Sequence, residues 1–355
     1  MFIALRDLRF ARGRFGLMAT VIALISLLVV LLSGLTTGLS DQSVSAIASL
    51  PVDHIAFAAP AAGEKMSFTT SRVTGSQSES VAGQKGVQAA APLGIAPAQL
   101  SAHGKEIAVA AFGADPGSFL SPTGLRDGTV VLSRELATHE KLTVGDKVAV
   151  GGDTLTIAAL ADHASFNHMP VAWIARSAWR KLDAAGGAEG TVIAMRTNGS
   201  ADLTALDLAN HTLTTDRQGA LAGIGSYTAE NGSLTLMRIL LLAVSALVVG
   251  AFFTVWTIQR TPDLAVLKAM GASTGYLVKD ALVQALTVLM IGGGVGTLLA
   301  AGLGWVAAQT VPFVVSPATT LIPLLALLAV GMVGAASSLR RIATVDPLTA
   351  LGAAR

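Results

Sequence analysis

The chain has 355 residues, a formal net charge of +2, 52% hydrophobic residues, only 13% charged ones and no cysteine. Its mean hydropathy is +0.63, and its charged fraction is close to half the roughly 25% of a soluble domain. These values exclude an ordinary soluble enzyme and a disulfide-built scaffold, and the basic residues, which hug the apolar runs, point to anionic lipid rather than nucleic acid.

The head, MFIALRDLRFARGR, sets Phe2, Ile3, Leu5, Leu8 and Phe10 against Arg6, Arg9 and Arg12. This predicts a cytoplasmic amphipathic helix on the membrane surface over residues 1–15. No charge occurs between Arg14 and Asp41, so residues 16–40 predict transmembrane helix 1. The run is longer than the core of a cleaved signal and reads as a retained helix.

Residues 41–235 form one extracytoplasmic insertion. Within 41–230 there are 18 acidic and 13 basic residues and all six histidines. LSDQSVSAIASL continues the first helix to Pro51, and a strand follows. The Ser/Thr/Gly-rich GEKMSFTTSRVTGSQSESVAGQKG reads as loop. EIAVAAFG, GTVVLS, PVAWIA and TVIAMRT predict strands, and KVAVGGDTLTIAAL predicts a hairpin turning at Gly151-Gly152-Asp153. SRELATHEKL predicts a helix with Ser133 as N-cap and Glu135 in its first turn, and RSAWRKLDAA predicts another. The insertion is therefore expected to be α+β, without a repeat.

No charge lies between Arg238 and Arg260 or between Asp280 and Arg340. Residues 236–258 predict helix 2, and the second run, broken by TVPFVVSP, predicts helices 3 and 4 over 281–309 and 317–339. Residues 259–280 and the tail, 340–355, are basic like the head, so all three belong on the cytoplasmic side. Four crossings keep both termini there. The expected fold class is an α-helical membrane domain of four transmembrane helices, one and then three, with a large extracytoplasmic α+β domain inserted after the first.

The chemistry missing from the chain is informative. There is no G-x-x-x-x-G-K-[ST] loop for ATP, no G-x-S-x-G elbow and no H-E-x-x-H pair. His163 and His168 are five residues apart, which does not align two ligands on one helical face. No ionisable residue lies mid-membrane, as an ion-coupled transporter would need. The chain reads as a non-enzyme whose energy comes from a partner. GLTTG (Gly34, Gly38) and Gly292/Gly296 have the spacing of close helix packing, including at a dimer interface.

The segment TPDLAVLKAMGASTGYLVKDALVQAL, the tail RRIATVDPLTALGAAR and the Leu-x-x-Gly-Asp-to-hairpin pattern in VVLSRELATHEKLTVGDKVAVGGDTLTIAAL together resemble FtsX/MacB-type ABC transporter permeases. The resemblance covers nearly the whole chain and the whole domain order, MacB-like in plan. It implies that residues 259–280 couple to a separate ABC ATPase, present in two copies, with ATP bound only by that partner. Asp263, Leu264, Leu267, Lys268, Met270 and Gly271 carry this role by resemblance. Leu264, Leu267 and Met270 are expected on one face of a short helix along the inner membrane surface, and Gly271 is expected to end it.

LLSGLTTGLSDQSVSAIASLPVDHIAFA and SRVTGS…GVQAAAPLGIAP are similar to the HrtB-type haem exporter permeases within that family. By that resemblance, a homodimer in the plasma membrane exports haem for detoxification, with no permanently bound cofactor. The alternatives are a MacB-like extruder of peptide, antibiotic or lipid and an FtsX-like transducer controlling an external hydrolase. A weakly binding carboxylate suits a ligand that must be released, so Glu79 is the candidate for the haem iron and Arg72 for the propionates. His54, His163, His168 and Tyr227 follow as candidates.

Overall fold

The computed structural model describes residues 12–182 and 188–343, with the side chains of 12, 14, 260–265 and 338–343 outside the description. The head, residues 1–11, and the tail, residues 344–355, also lie outside it. The chain divides into a helical unit, Met1–Gly38 with Ser233–Arg355, and an inserted unit, Leu39–Gly232.

Among the described residues, four helices are long and apolar enough to cross a membrane. They are α1 (Arg12–Ala48), which opens the chain, then α7 (Gly225–Ala269), α8 (Thr274–Ala307) and α9 (Pro317–Ala343). Their shared core contains Phe15, Met18 and Ile22 of α1, Phe253 and Trp256 of α7, Ala285 and Leu289 of α8, and Leu327 of α9. Without a hydrophobic force between helices in lipid, close backbone approach must hold such a bundle. Glycines provide it here. A Cβ on Gly292 would stand 2.7 Å from the Ala19 carbonyl oxygen and 2.9 Å from the Ile22 Cβ, and Gly296 faces the Ala23 carbonyl and Ser26 in the same way. The Ser26 hydroxyl donates to the Gly293 carbonyl at 2.9 Å and pairs with the Thr297 hydroxyl at 3.1 Å.

The second glycine pair has a different neighbour. Gly34 lies under the ring of Phe313 and Gly38 under the Pro312 carbonyl, and the Val314 N–H donates to the Gly34 carbonyl at 3.2 Å. The turn predicted at TVPFVVSP thus tucks back against α1. Pro317 opens α9 with its fixed φ and missing N–H, and the Ser316 hydroxyl caps the Thr319 N–H at 3.2 Å. Both glycine pairs thus serve the close helix packing expected of them, and the neighbours that fill them belong to the same chain.

The inserted unit is α+β. In chain order it has β1 (His54–Ala58), α2 (Gly75–Ala82), β2 (Val87–Ala102), β3 (Lys105–Ala114), β4 (Thr129–Ser133), α3 (Arg134–His139) and β5 (Lys147–Val150). There follow β6 (Asp153–Ala161), β7 (Ser165–Phe166), β8 (Met169–Ala175), α4 (Arg176–Trp179), β9 (Val192–Thr197), α5 (Leu203–Asn210), β10 (Thr212–Asp216) and α6 (Arg217–Ala220). The strand order is β10-β1-β9-β2-β3-β8-β4-β6-β5, with β7 on β8.

Strand β2 serves two layers. Its first half pairs with β9 and its second half with β3, and β5 returns to β2 through Leu100↔Val150 and Ser101↔Ala149. The pairings β2-β3-β8-β4-β6-β5 thereby close a six-strand ring around Leu100, Val109, Leu132, Ile157 and Trp179. Trp179 is fully buried over the register pair Gly94↔Gly113, where any Cβ would enter its side chain. A second core joins the end of α1, through Val44 and Ile47, to an aromatic row of Phe57, Phe68, Phe166, Phe112 and Trp173 packed edge to face.

Three local expectations change. The Ser-rich segment read as loop contains helix α2, because Thr74 and Gln77 form a reciprocal capping box. The helix expected over RSAWRKLDAA is one turn, Arg176–Trp179, and residues 183–187 lie outside the description. The coupling segment is not a separate helix lying along the membrane surface. Its first part continues α7, which is helical as far as Ala269.

Candidate functional site

Three features of the molecule bear on function. The first is the turn between α7 and α8. Gly271 has φ +98°, which an L side chain rarely adopts, its N–H donates to the Lys268 carbonyl, and the Ala272 N–H donates to the Leu267 carbonyl, both at 3.0 Å. This pairing satisfies the last carbonyls of α7 and stops it sharply. Ser273 then caps α8, accepting from the Tyr276 N–H at 3.3 Å. The result is a rigid elbow with Met270 at its tip, 72% exposed, and Val266 beside it at 47%. Leu267 turns the other way and packs on the helical core. The exposed apolar pair at this elbow is thus Val266 and Met270, one turn apart, while Leu267, expected on the same face as Met270, packs inward. The side chains of Asp263 and Leu264 lie outside the described residues.

The second feature is a groove of about 840 Å³ between α7 and α9. Ala243, Ala246, Leu247, Gly250 and Ala251 form one wall and Ala329, Val330, Val333 and Gly334 the other, with the hydroxyls of Thr254 and Ser337 as the polar groups. Small residues make it. A Cβ on Gly334 would lie 3.2 Å from the Ala246 carbonyl oxygen and 3.4 Å from the Gly250 Cα, so the helices touch there and splay to either side. Among the described residues that line the groove, none is ionisable, in keeping with its uncharged spans.

The third is the base of the inserted unit, where the sequence candidates can be placed. His168 sits at the tip of the β7–β8 hairpin. Asn167 and His168 both have positive φ, 51° and 62°, as a tight two-residue turn requires. Its Nε2 lies 3.0 Å from the Ser43 hydroxyl and 2.9 Å from Glu230 Oε1. Tyr227, one turn before Glu230 on α7, packs against the larger core, and its hydroxyl accepts from Asn231 at 3.5 Å. His163 pairs instead with Glu135 of α3. His54 begins β1, with Nδ1 3.4 Å from the Thr197 hydroxyl.

Arg72 is half-buried and donates to the Thr69 and Ser71 carbonyls at 2.9 and 2.7 Å. It lines a cavity of about 230 Å³ with Phe68, Ile95, Pro97, Phe166 and Met169. Glu79 is not in that lining and stands exposed on α2. The structure thus gathers the candidates into a tie at His168, a separate His163–Glu135 pair and an Arg72 cavity, and does not assemble them into one site. Among the described residues, no three His, Asp or Glu side chains come together to hold a metal ion. The roles of Ser43 and Glu230 were missed, and no local pattern marks them, because they meet His168 across 125 and 62 residues.

Two carboxylates with perturbed equilibria lie elsewhere in the inserted unit. Asp146 accepts from the Thr143 N–H at 2.7 Å and hydroxyl at 2.9 Å, and these bonds hold its carboxyl below the usual range. Glu140 is lowered in the same direction, chiefly by its hydrogen bond with His139 and then by Lys105.

Comparison with known proteins agrees with this architecture. Residues 15–208 match the MacB-like periplasmic core domain, and residues 235–347 match the FtsX-like permease C-terminal family. A full-length relative in Staphylococcus haemolyticus, 25% identical over 99% of both chains, carries the provisional name hemin transport system permease protein HrtB. An uncharacterized ABC transporter permease of Mycobacterium tuberculosis is 27% identical over 99% of both chains. The solved periplasmic region of MacB from Actinobacillus actinomycetemcomitans covers 49% of this chain and 92% of its own, at 12% identity and a TM-score of 0.37. Four apolar helices in a one-plus-three order, the inserted α+β unit and these family matches make the chain a multi-pass, non-catalytic membrane subunit. It belongs to the FtsX/MacB-type ABC transporter permeases.

Proposed function

We propose that the chain is the permease of an ABC efflux pump that removes haem from the membrane. It works as a homodimer driven by two copies of a separate ATPase. Both termini face the cytoplasm and the inserted unit faces outward, as the basic head, loop and tail support. The Val266–Met270 elbow is the surface on which the ATPase acts, and its rigid stop at Gly271 passes that motion into α7 and α8.

The observation that carries the reading is the α7–α9 groove. Its volume of about 840 Å³ falls within the roughly 300–1,000 Å³ of small-molecule sites, and its walls suit a flat apolar body arriving from the bilayer. The provisional name of the staphylococcal relative supports haem as that body. Glu79 as an iron ligand and Arg72 as a propionate partner belong to the same proposal, with His54, His163, His168 and Tyr227 behind them. One observation favours a MacB-like extruder of peptide, antibiotic or lipid instead: the groove has no imidazole or carboxylate to meet iron.

The test is a haem titration of the purified full-length chain in detergent, followed by absorbance. Saturable binding with a band shift, lost in Gly250→Leu, supports haem in the groove, and loss of the shift in Glu79→Ala places the iron ligand. A folded protein that binds no haem would leave the extruder as the better reading.

A further inference from the structure

The hairpin Ser165–Met169 reaches away from the sheet to touch both helices that enter the inserted unit. On the α1 side, the Asn167 N–H donates to the Ser43 carbonyl at 3.0 Å and the His168 N–H to the Gln42 carbonyl at 3.1 Å. The Ser165 N–H donates to the Ser45 hydroxyl at 2.9 Å, and that hydroxyl returns to the Ser165 carbonyl at 3.3 Å. On the α7 side the polar tie among the described residues is the His168 imidazole on the Glu230 carboxylate. A carboxylate needs a donor, so Nε2 carries the hydrogen and shares it with the Ser43 hydroxyl. If the hydrogen moves to Nδ1, Nε2 can accept from Ser43 but no longer serves Glu230.

The two sides are therefore unequal. Among the described residues, five hydrogen bonds fix the hairpin to α1, four of them through a backbone group of α1 or of the hairpin, whereas one half-exposed side-chain pair ties the hairpin to α7. We propose that the β7–β8 hairpin is a clasp: a permanent extension of α1 that holds α7 through His168 and Glu230, and that must let go for the two helices to part during the working cycle. The weak side is placed where motion is needed. An exposed pair of this kind is easily made and broken, while the α1 side carries the hairpin along as one body.

The clasp requires no particular cargo, and the absence of cysteine from the chain allows two independent tests. In the first, hydrogen exchange is followed at the amides of residues 226–231 in the full-length chain in nanodiscs. His168→Ala and Glu230→Ala should each speed exchange by about two- to fivefold, the range expected for a part-exposed pair, and the double variant should add nothing further. Amides of 42–45 should be unaffected by Glu230→Ala. Unchanged protection at 226–231, or additive effects of the two changes, would overturn the clasp.

In the second test, His168→Cys and Glu230→Cys are combined, joined by a short reducible thiol crosslinker, and examined in the complex with the partner ABC ATPase. ATP turnover should fall at least severalfold on linking and recover on reduction, with neither single-cysteine protein affected. A linked complex that turns over at the unlinked rate would show that the clasp never opens. The first readout needs no ATPase, so it can fail or succeed separately from the transport reading.

Discussion

The contact between α1 and α8 rests on Gly292, and a single methyl group tests it. Gly292→Ala would place a Cβ 2.7 Å from the Ala19 carbonyl oxygen, 2.9 Å from the Ile22 Cβ and 3.0 Å from the Ile22 Cγ2, against the 3.4 Å at which ordinary contact begins. The obstacle is a backbone carbonyl, not the tip of a flexible side chain, so the helices must separate by several tenths of an ångström. Overpacking of this kind costs about 1–3 kcal/mol. Separation also lengthens the hydrogen bonds from Ser26 to Gly293 and Thr297, each worth about 0.6 kcal/mol between membrane helices. The gross cost is then about 2–4 kcal/mol, offset by the roughly 0.5–1 kcal/mol that alanine gains over glycine inside a helix. Gly294, two residues on, has nothing within 4 Å of an added Cβ, so Gly294→Ala has the gain without the cost. Thermal denaturation of the full-length chain in detergent should show the two variants moving in opposite directions, Gly292→Ala down and Gly294→Ala level or up. Equal stability of the two would refute the packing argument. So would a Gly292→Ala protein of normal stability that had changed only its oligomeric state.

Further outcomes follow from other parts of the molecule. Trp179→Ala empties the centre of the six-strand ring and should cost about 3–5 kcal/mol, read as a lower denaturation midpoint for the inserted unit with the helical signal retained; a change below 1 kcal/mol would mean that the ring is not held by its interior. Asp146 has a folded-state carboxyl below the ordinary 3.8, so its contribution is present above that value and fades as pH falls through the depressed one. Asp146→Asn should therefore lower thermal stability near pH 5, with a deficit that shrinks as the pH falls below 3.8, and a deficit that grows on acidification would contradict the assignment. Met270→Asp, at an exposed tip, should leave the melting temperature of the isolated chain within the roughly ±0.5 kcal/mol of surface changes while reducing the amount of ATPase that co-purifies; a destabilised chain would show that Met270 packs inward.

Much of the architecture is legible in the sequence because charge is so costly in lipid. The uncharged stretches between Arg14 and Asp41, Arg238 and Arg260, and Asp280 and Arg340 mark the helical unit almost without further argument. Turn chemistry is legible for the same kind of local reason: Gly151 and Gly152 take positive φ at the β5–β6 hairpin, and Ser133 caps α3. Strand β2 is harder to see, since Pro92 and Pro97 lie within it, and proline normally argues against an interior strand. Helix α2 was visible as Thr74-x-x-Gln77, but its serine-rich composition pointed to loop. The continuation of α7 beyond its apolar stretch is hard to see for a physical reason too. The charge at Arg260 marks the limit of the lipid, not of the helix, and the helix ends only where Gly271 permits it. The candidate site is least legible of all. The Val266–Met270 face depends on which way Leu267 turns, the groove on where two helices touch at Gly250 and Gly334, and the His168 tie on residues distant in the chain.

The most direct test of the account is ATP hydrolysis by the full-length chain reconstituted in nanodiscs with its partner ABC ATPase and titrated with haem. The account predicts that haem stimulates hydrolysis saturably, and that Met270→Asp in a folded chain removes the stimulation. Hydrolysis indifferent to both haem and Met270→Asp would contradict it.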